Sequence, residues 1–598
     1  MILTISNPDD LSTKFYYGKD DTTNMNTTEK LTLWRERYAR GEAAFAAERA
    51  RMDERERLYA GDRGIEAASG SGAAKGATHV RNIIAELIEA QVDSGLPQPK
   101  VTARRKRDEP LAALIEDMLR NEMNRMDFEA MNDMQERTAL IQGSGLFLCE
   151  WDQAPGKPGE LAVSLLHPRA ILPQEGVTGG IEAMDYCLFT VRQTRETLRR
   201  KYGKGVDGAD ALSGGDTDNP GEVVAQCFAY YRNANGGIGL FSWAGDTVLT
   251  DIEDFQARQV WLCQDCGTAS AGDQEPCPAC GGGSFRRSAQ DYETLTEDIH
   301  VSDGRVIPAW EDGAPVRIPY YRPGCYPIVL RKNVSVYGKL LGDSDVDKLR
   351  DQQNTVKKLS TKIGEKLLKG GSYVTLPAGV SVDKTDNELK VIYLDNPAQK
   401  AMIDVINVQP NIAGDLAYQN HVYEEARQAI GVTDSFLGRR DPTATSGTAK
   451  EFAAAQSAGR FESKRVMKNA AFAALFEMMF KFKLAYADEP RPVVSAGDGG
   501  GRVYRDFNRY DFLERGEDGT YYWNDDFLFS TDVAAPLAQN REALWRETAY
   551  NFQSGAFGDP ARPETLVLYW HKLEQLHYPG AAATKASLER QMAEDGGC

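Results

Sequence analysis

No run of about 18 consecutive apolar residues occurs in the chain, which excludes a helical membrane span of ordinary length. The opening MILTISNPDD has neither the basic nor the apolar region of a secretory signal, so we expect a protein made in the cytoplasm. Histidine is scarce. The six present (His79, His167, His300, His421, His571, His577) show no metal-ligand spacing, and neither His-Glu-x-x-His nor Gly-x-Ser-x-Gly appears. Gly70-Ser-Gly-Ala-Ala-Lys75-Gly lacks the Gly-Lys-Ser/Thr order of a phosphate loop and follows a charged helix rather than a strand. Asp525-Asp526 is read as a strand-end turn rather than a metal pair. With these signatures missing, we expect no enzyme activity.

Positive charge is also in deficit. Lys and Arg number 70 against 88 Asp and Glu, a formal net charge of −18. A protein that grips nucleic acid over its whole surface needs the opposite balance, because phosphate binding rests on Lys and Arg. Any DNA contact must therefore be local or weak. Apolar residues at 41% and charged residues at 26% are ordinary for a globular chain, so most of it should fold. A length of 598 residues exceeds one hydrophobic core and predicts several regions.

Cysteine is too sparse for a disulfide framework, with nine in the chain. Cys149, Cys187, Cys227, Cys325 and Cys598 are isolated and read as buried small hydrophobes. The other four are clustered in CQDCGTASAGDQEPCPACGG: Cys263-x-x-Cys266 and Cys277-x-x-Cys280, each knuckle followed by glycine. That pattern places four thiolates tetrahedrally around Zn²⁺. A closed four-thiolate site has no open position for substrate or water, so the expected role is structural. A metal staple for a small lobe and a docking ribbon for nucleic acid or protein both remain open.

Along the chain, EKLTLWRERYARGEAAFAAERARMDERER predicts a long charged amphipathic helix on the surface of an assembly, followed by a flexible Gly/Ala/Ser loop. Ile83, Ile84, Leu87, Ile88 and Val92 share one helical face. One helix is expected from about Pro110 to Leu140, then strands at GLFLCEW, ELAVSLLHP and YCLFTVR and a short helix at QTRETLRRKY. The elements predict a mixed α+β fold without doubly wound alternation. Residues 344–369 read as a strong helix stopped by Gly370 and Gly371. In it Lys358, Lys362, Lys366 and Lys369 share one face, while Leu349, Val356, Leu359, Ile363 and Leu367 lie on another. That basic face suits either solvent, DNA phosphate or a neighbouring acidic subunit.

A β-rich excursion over 372–408 precedes a second helix, which stops at Gly431. The loop GVTDSFLGRRDPTATSG follows, with Arg439 and Arg440. A long helix is then expected from the capping box Thr448-Ala-Lys-Glu451 to about Ala487, which would span about 60 Å. Its second half is heavy with Phe472, Phe476, Met478, Met479, Phe480 and Phe482. Strands over RVYRDFNRYDFL and TYYWNDDFLFSTDV and terminal helices complete the chain.

This order of parts resembles the core of tailed-bacteriophage portal proteins. SDVDKLRDQQNTVKKL, the β-rich excursion, EARQAIGVTDSFLG, TATSGTAKE and the long helix look like stem helix, clip, stem helix, tunnel loop and the helix toward the crown. NIIAELIEAQVDSGLPQPKV and SLLHPRAILPQ are similar to the family's wing. The resemblance implies an N-terminal charged helix and loop (1–80) and a wing (81–343) with a zinc ribbon inserted at about 258–288. Next come a first stem helix (344–371), clip (372–408), second stem helix (409–432) and tunnel loop (433–447). A long helix (448–488), wing return strands (489–535) and helical crown (536–598) follow. The four-cysteine insertion and the charged N-terminal helix depart from the family pattern.

What the resemblance implies further is a homo-oligomeric ring, a dodecamer, in the virion at one capsid vertex. Its partners would be capsid and scaffold proteins, the large terminase, a neck adaptor protein and double-stranded DNA passing through the channel. Arg439, Arg440, Thr443, Thr445 and Ser446 would line the tunnel constriction, and Lys358, Lys362, Lys366 and Lys369 the stem. An acidic channel suits a duplex that must slide in both directions. The competing reading is a zinc-ribbon nucleic-acid-binding oligomer, yet Asp265, Asp273 and Glu275 surround the knuckles, with only Arg286 and Arg287 downstream.

Overall fold

The N-terminal charged segment forms helix α1 (Thr27–Tyr59) from a capping box. Asn26 Oδ1 accepts the Glu29 N–H at 2.9 Å, and the Glu29 carboxylate takes the Asn26 N–H at 3.1 Å. In the computed structural model the described residues are 25–595, apart from 65–76, 78, 94, 153–158, 207–221, 235, 267–268, 271–275, 278, 312, 376–395, 397, 399–400, 402–403, 433–460, 497–501, 533–540, 576–577 and 579. The apolar face of α1 packs as an amphipathic helix should, with Leu31, Trp34, Tyr38 and Phe45 in one cluster against a five-stranded sheet. Trp34 is fully buried, with its ring 5.2 Å from Tyr231, and Leu58 joins a second core more than twenty residues away. Arg55 bridges to Asp347 at 2.6 Å and donates to the Gln142 carbonyl at 3.3 Å. The helix is therefore a strap that ties a β-sheet to the central helices, and its outer face carries the remaining charge.

The expected single helix over 110–140 is two, α3 (Glu109–Arg125) and α4 (Phe128–Gln142), after the short α2 (Ile83–Glu89). The break falls at Asp127, whose φ of 52° is the one positive value at a non-glycine residue among those described. Aspartate tolerates this left-handed conformation better than most residues, and the turn brings Phe128 into the same core as Met123. α4 ends at Gly143, where a side chain is excluded twice over: φ is 82°, and a Cβ would lie 2.3 Å from the Gly342 carbonyl oxygen.

The strands form antiparallel meanders and ribbons. Ser144–Asp152 is flanked by Glu160–Leu166 and Ile328–Lys332 in a three-stranded sheet. Ile171–Pro173, Tyr186–Thr194, Val223–Arg232, Ile238–Ala244 and Thr247–Ile252 form a five-stranded sheet in chain order. Gln98–Ala103 pairs with Phe527–Asp532, more than four hundred residues later. Helices and antiparallel sheets make the chain α+β, without parallel crossovers among the described strands.

The largest core is organised by the helix Glu462–Tyr486. Phe472 packs edge-on to Phe147 at 5.4 Å, and Phe480 meets Phe512, Phe527 and Phe529. The aromatic second half of the long helix is thus the spine between the three-stranded sheet and the C-terminal strands. The described helix starts at Glu462, with Phe461 in a turn before it; the expected start at the capping box of Thr448 and the residues up to 460 lie outside the described residues. Buried charge accompanies the apolar spine. Lys468 reaches Glu136 at 2.8 Å and the Gly95 carbonyl at 2.7 Å, and Arg331 holds the other Glu136 oxygen at 2.7 Å. Cys149 and Cys187 are fully buried and Cys227 nearly so, as isolated small hydrophobes should be.

Candidate metal centre and helical hairpin

The four clustered cysteines sit on a three-stranded ribbon in which Arg258–Cys263 is central, paired with Ala269–Ser270 and Phe285–Gln290. Cys263 ends its strand, so its thiol points into the turn that carries Cys266. The second knuckle closes on itself: the Gly281 N–H donates to the Cys277 carbonyl, and the Cys277 N–H to the Gly282 carbonyl, both at 2.8 Å. Gly281 has a φ of 75°, and a Cβ on Gly282 would press to 2.1 Å from the Asp265 carboxylate. The positive φ at Gly281 favours glycine directly after the knuckle.

Cys263 Sγ lies 3.5 Å from Cys280 Sγ and Cys266 Sγ lies 3.7 Å from Cys277 Sγ, and all four sulfurs fall within 4.8 Å of one another. A tetrahedron with metal–sulfur bonds of about 2.3 Å has edges of about 3.8 Å, so the cluster has the size of a four-thiolate metal site. Without a cation the thiols oppose one another's ionisation. The Gly282 amide lowers the pKa of Cys280, but hydrogen bonds from Cys266, Cys263 and Cys277 outweigh it and push the thiol up to about 12. A divalent ion would remove that conflict. Among the described residues this is the one His/Cys/Asp/Glu group with metal-holding geometry. Four protein ligands leave no position for substrate, so the arrangement can hold a fold together and cannot act as a Lewis acid.

The second candidate region is a helical hairpin with a β-ribbon at its tip. Its first helix, α6 in chain order after α5 (Arg195–Tyr202), spans Asp345–Lys369. Ser344 caps it by accepting the Val346 N–H and donating to the Ile141 carbonyl at 2.5 Å. Val346, Leu349, Val356 and Ile363 are buried along one face, and Gln353 accepts the Ile83 N–H at 2.9 Å. Leu367, assigned to this apolar face by spacing, is 53% exposed because the face outruns its partners at the helix end.

Gly370 does not close the helix in the left-handed form. Its backbone is extended, with φ −73° and ψ 158°, and the chain passes straight into the strand Gly371–Thr375, which pairs with Asp404–Val408. Glycine is needed at 370 for space, since a Cβ would lie 2.8 Å from Pro410. The returning helix α7 (Ala413–Ile430) ends at Gly431 with φ 81°, the left-handed stop that the sequence predicts.

The lysine face is half neutralised by this return. Lys362 and Lys366 both pair with Asp415 in the first turn of α7, Lys362 at 3.2 Å, and Gln419 donates to Ser360 Oγ at 2.8 Å. The hydrogen bond from Lys366, with Lys362 beside it, holds the Asp415 carboxyl below the usual carboxylate range. Lys358 and Lys369 remain exposed. Lys357, one residue off the face, is buried and donates to the Gly64 carbonyl at 2.9 Å. Asp415 was not singled out by sequence reasoning; its pairing depends on how the two helices face each other, which no local spacing encodes. Arg439, Arg440, Thr443, Thr445 and Ser446 lie outside the described residues.

No family model matches the chain, and no curated protein matches it.

Proposed function

We propose that the chain is one subunit of a portal ring, a head-to-tail connector through which viral DNA enters and leaves a capsid. The observation that carries the reading is the succession of α6, a β-ribbon opened by Gly371–Thr375 and closed by Asp404–Val408, and α7 returning antiparallel to α6. A helical hairpin that presents a ribbon at its tip, next to a long helix buried in the body, suits a stem, a clip and a core. On this reading the clip meets the terminase and then the neck adaptor, and the reading assigns no reaction to the chain. The acidic total lets duplex slide, with Lys358, Lys362 and Lys369 among the exposed positive charges on α6.

The four-thiolate centre is read as a structural Zn²⁺ site, because tetrahedral all-thiolate geometry with no redox requirement selects zinc. It staples a lobe inserted in the wing.

Single-particle electron microscopy of the purified full chain tests the main reading. Closed rings of about a dozen subunits around a central hole are expected. A protein that stays monomeric or dimeric across salt and concentration refutes it, and leaves the zinc-ribbon nucleic-acid-binding oligomer as the reading to pursue.

A further inference from the structure

One small sheet breaks the usual pattern of apolar side chains inward and polar ones outward. Tyr292–Thr294 pairs with Arg317–Pro319, and Ala314–Pro315 pairs with Trp310–Glu311, so the strand that carries Arg317 is the middle one of three. The Val316 N–H holds the same register by donating to the Ala309 carbonyl at 2.8 Å. Alternation then sorts the side chains. Leu295, Ile307, Ala309, Val316 and Ile318 lie on the inner side, buried in one core with Leu513. Tyr292, Thr294, Val306, Trp310, Pro315 and Arg317 lie on the outer side, and all six are exposed.

Trp310 is 64% exposed, and Tyr292 and Val306 are 48% exposed each. A contiguous apolar face of this kind marks an interaction site. It carries one charged side chain. Arg317 lies over the Tyr292 ring at 5.0 Å and has no ion-pair partner among the described residues. Glu293 and Glu311 alternate to the inner side, where they pair with Arg509 and Arg515, which leaves the paired strand residues of the outer side without a carboxylate.

Charge and area together select the occupant. A lone arginine on an acid-free face calls for a carboxylate from outside. With a whole Trp or Tyr worth about 150–250 Å², the face offers on the order of 500 Å², well short of the ~800 Å² per partner of a standard folded interface. A second copy set on it about a two-fold axis would bring Arg317, on the middle strand, against its own counterpart. The area suits a short segment, and Trp, Tyr and Arg are the side chains that anchor protein contacts.

We infer that this face binds an extended, acidic segment of a partner protein. A carboxylate of the segment pairs with Arg317, and apolar side chains on either side of it cover Trp310 and Tyr292. The contact stands or falls independently of the ring reading.

The test selects random displayed dodecapeptides on the full chain, with counter-selection on Trp310→Ser, and measures the synthetic peptides by fluorescence anisotropy. Trp310 and Arg317 are exposed, so their variants should keep the parent circular dichroism. The selected peptides are expected to share an Asp or Glu flanked by apolar residues. Their affinity should fall about tenfold or more in Trp310→Ser and in Arg317→Glu, and a peptide with Lys in place of its carboxylate should recover binding to Arg317→Glu. Failure to select any peptide that separates the parent from Trp310→Ser overturns the inference, as do peptides indifferent to Arg317→Glu. Two other outcomes also overturn it. Self-association of the parent that Trp310→Ser abolishes in sedimentation would assign the face to a second copy, and a single-stranded thymidine oligonucleotide bound by the parent but not by Trp310→Ser would assign it to nucleic acid.

Discussion

Removing the metal from the four-cysteine centre should unfold the lobe and nothing else. Among the described residues of 258–290, only Cys263 and Cys277 belong to the buried apolar set, and both are ligands. The described residues of the lobe form no hydrophobic core of their own. On the proposed zinc reading the lobe's order rests on the ribbon's hydrogen bonds and on metal–thiolate binding, which in comparable structural sites contributes about 10–16 kcal/mol. The main core, by contrast, is built from Phe472, Phe476, Phe480 and their partners, none of them in the lobe. The lobe is tied to the body by the ion pair of Arg258 with Asp488. With a strong chelator, or in Cys277→Ser, amides of 258–290 should lose their protection in hydrogen exchange. Amides of the five-stranded sheet and of Glu462–Tyr486 should keep theirs. The main thermal transition should move by no more than about 1 °C, the shift of about 1 kcal/mol in a chain of this size. Metal analysis of the purified chain should find one zinc per subunit. Lobe amides that stay protected after the metal is gone, or a collapse of the whole chain, would refute the reasoning.

Further outcomes follow from the same structure. Trp34→Ala should destabilise the docking of α1 by about 3–5 kcal/mol and open the strap to proteolysis. Trp34→Phe should cost far less, since the buried indole N–H has no hydrogen-bond partner to lose. Lys468→Ala leaves Glu136 buried beside only Arg331 and should cost about 3–5 kcal/mol in denaturant unfolding. The Asp415 pKa is lower in the folded hairpin than in the unfolded chain, so its contribution is complete above about pH 4 and is lost as pH falls through the lowered value. Asp415→Asn should therefore remove that acid-side loss from the hydrogen-exchange profile of the hairpin, and an unchanged profile would exclude the pairing.

Some of the architecture was legible because its physics is local. The Cys-x-x-Cys knuckles, the helix from about Ser344, the glycine stop at Gly431 and the apolar face of Ile83, Ile84, Leu87 and Ile88 are each written within a few residues and present in the structure, whereas Val92, read on the same face, lies past the end of α2 and is half-buried. Gly370 shows the limit of local rules. Glycine after a helix reads as a left-handed cap, yet here it is extended, and the constraint is Pro410, forty residues on. The break at Asp127 was equally hidden, since helix propensity continues through it and only the burial of Phe128 reveals the turn.

The sequence by itself determined the α+β class, the four-cysteine cluster and the positions of most helices, because spacing, capping and thiolate chemistry act over short stretches of chain. Only the tertiary structure decided that α1 is a strap, that Gln98–Ala103 pairs with Phe527–Asp532, and that Asp415 takes two of the four lysines. Those outcomes depend on which surfaces meet across hundreds of residues. Burial and pairing energies select that meeting for the whole fold at once, and no window of sequence contains it.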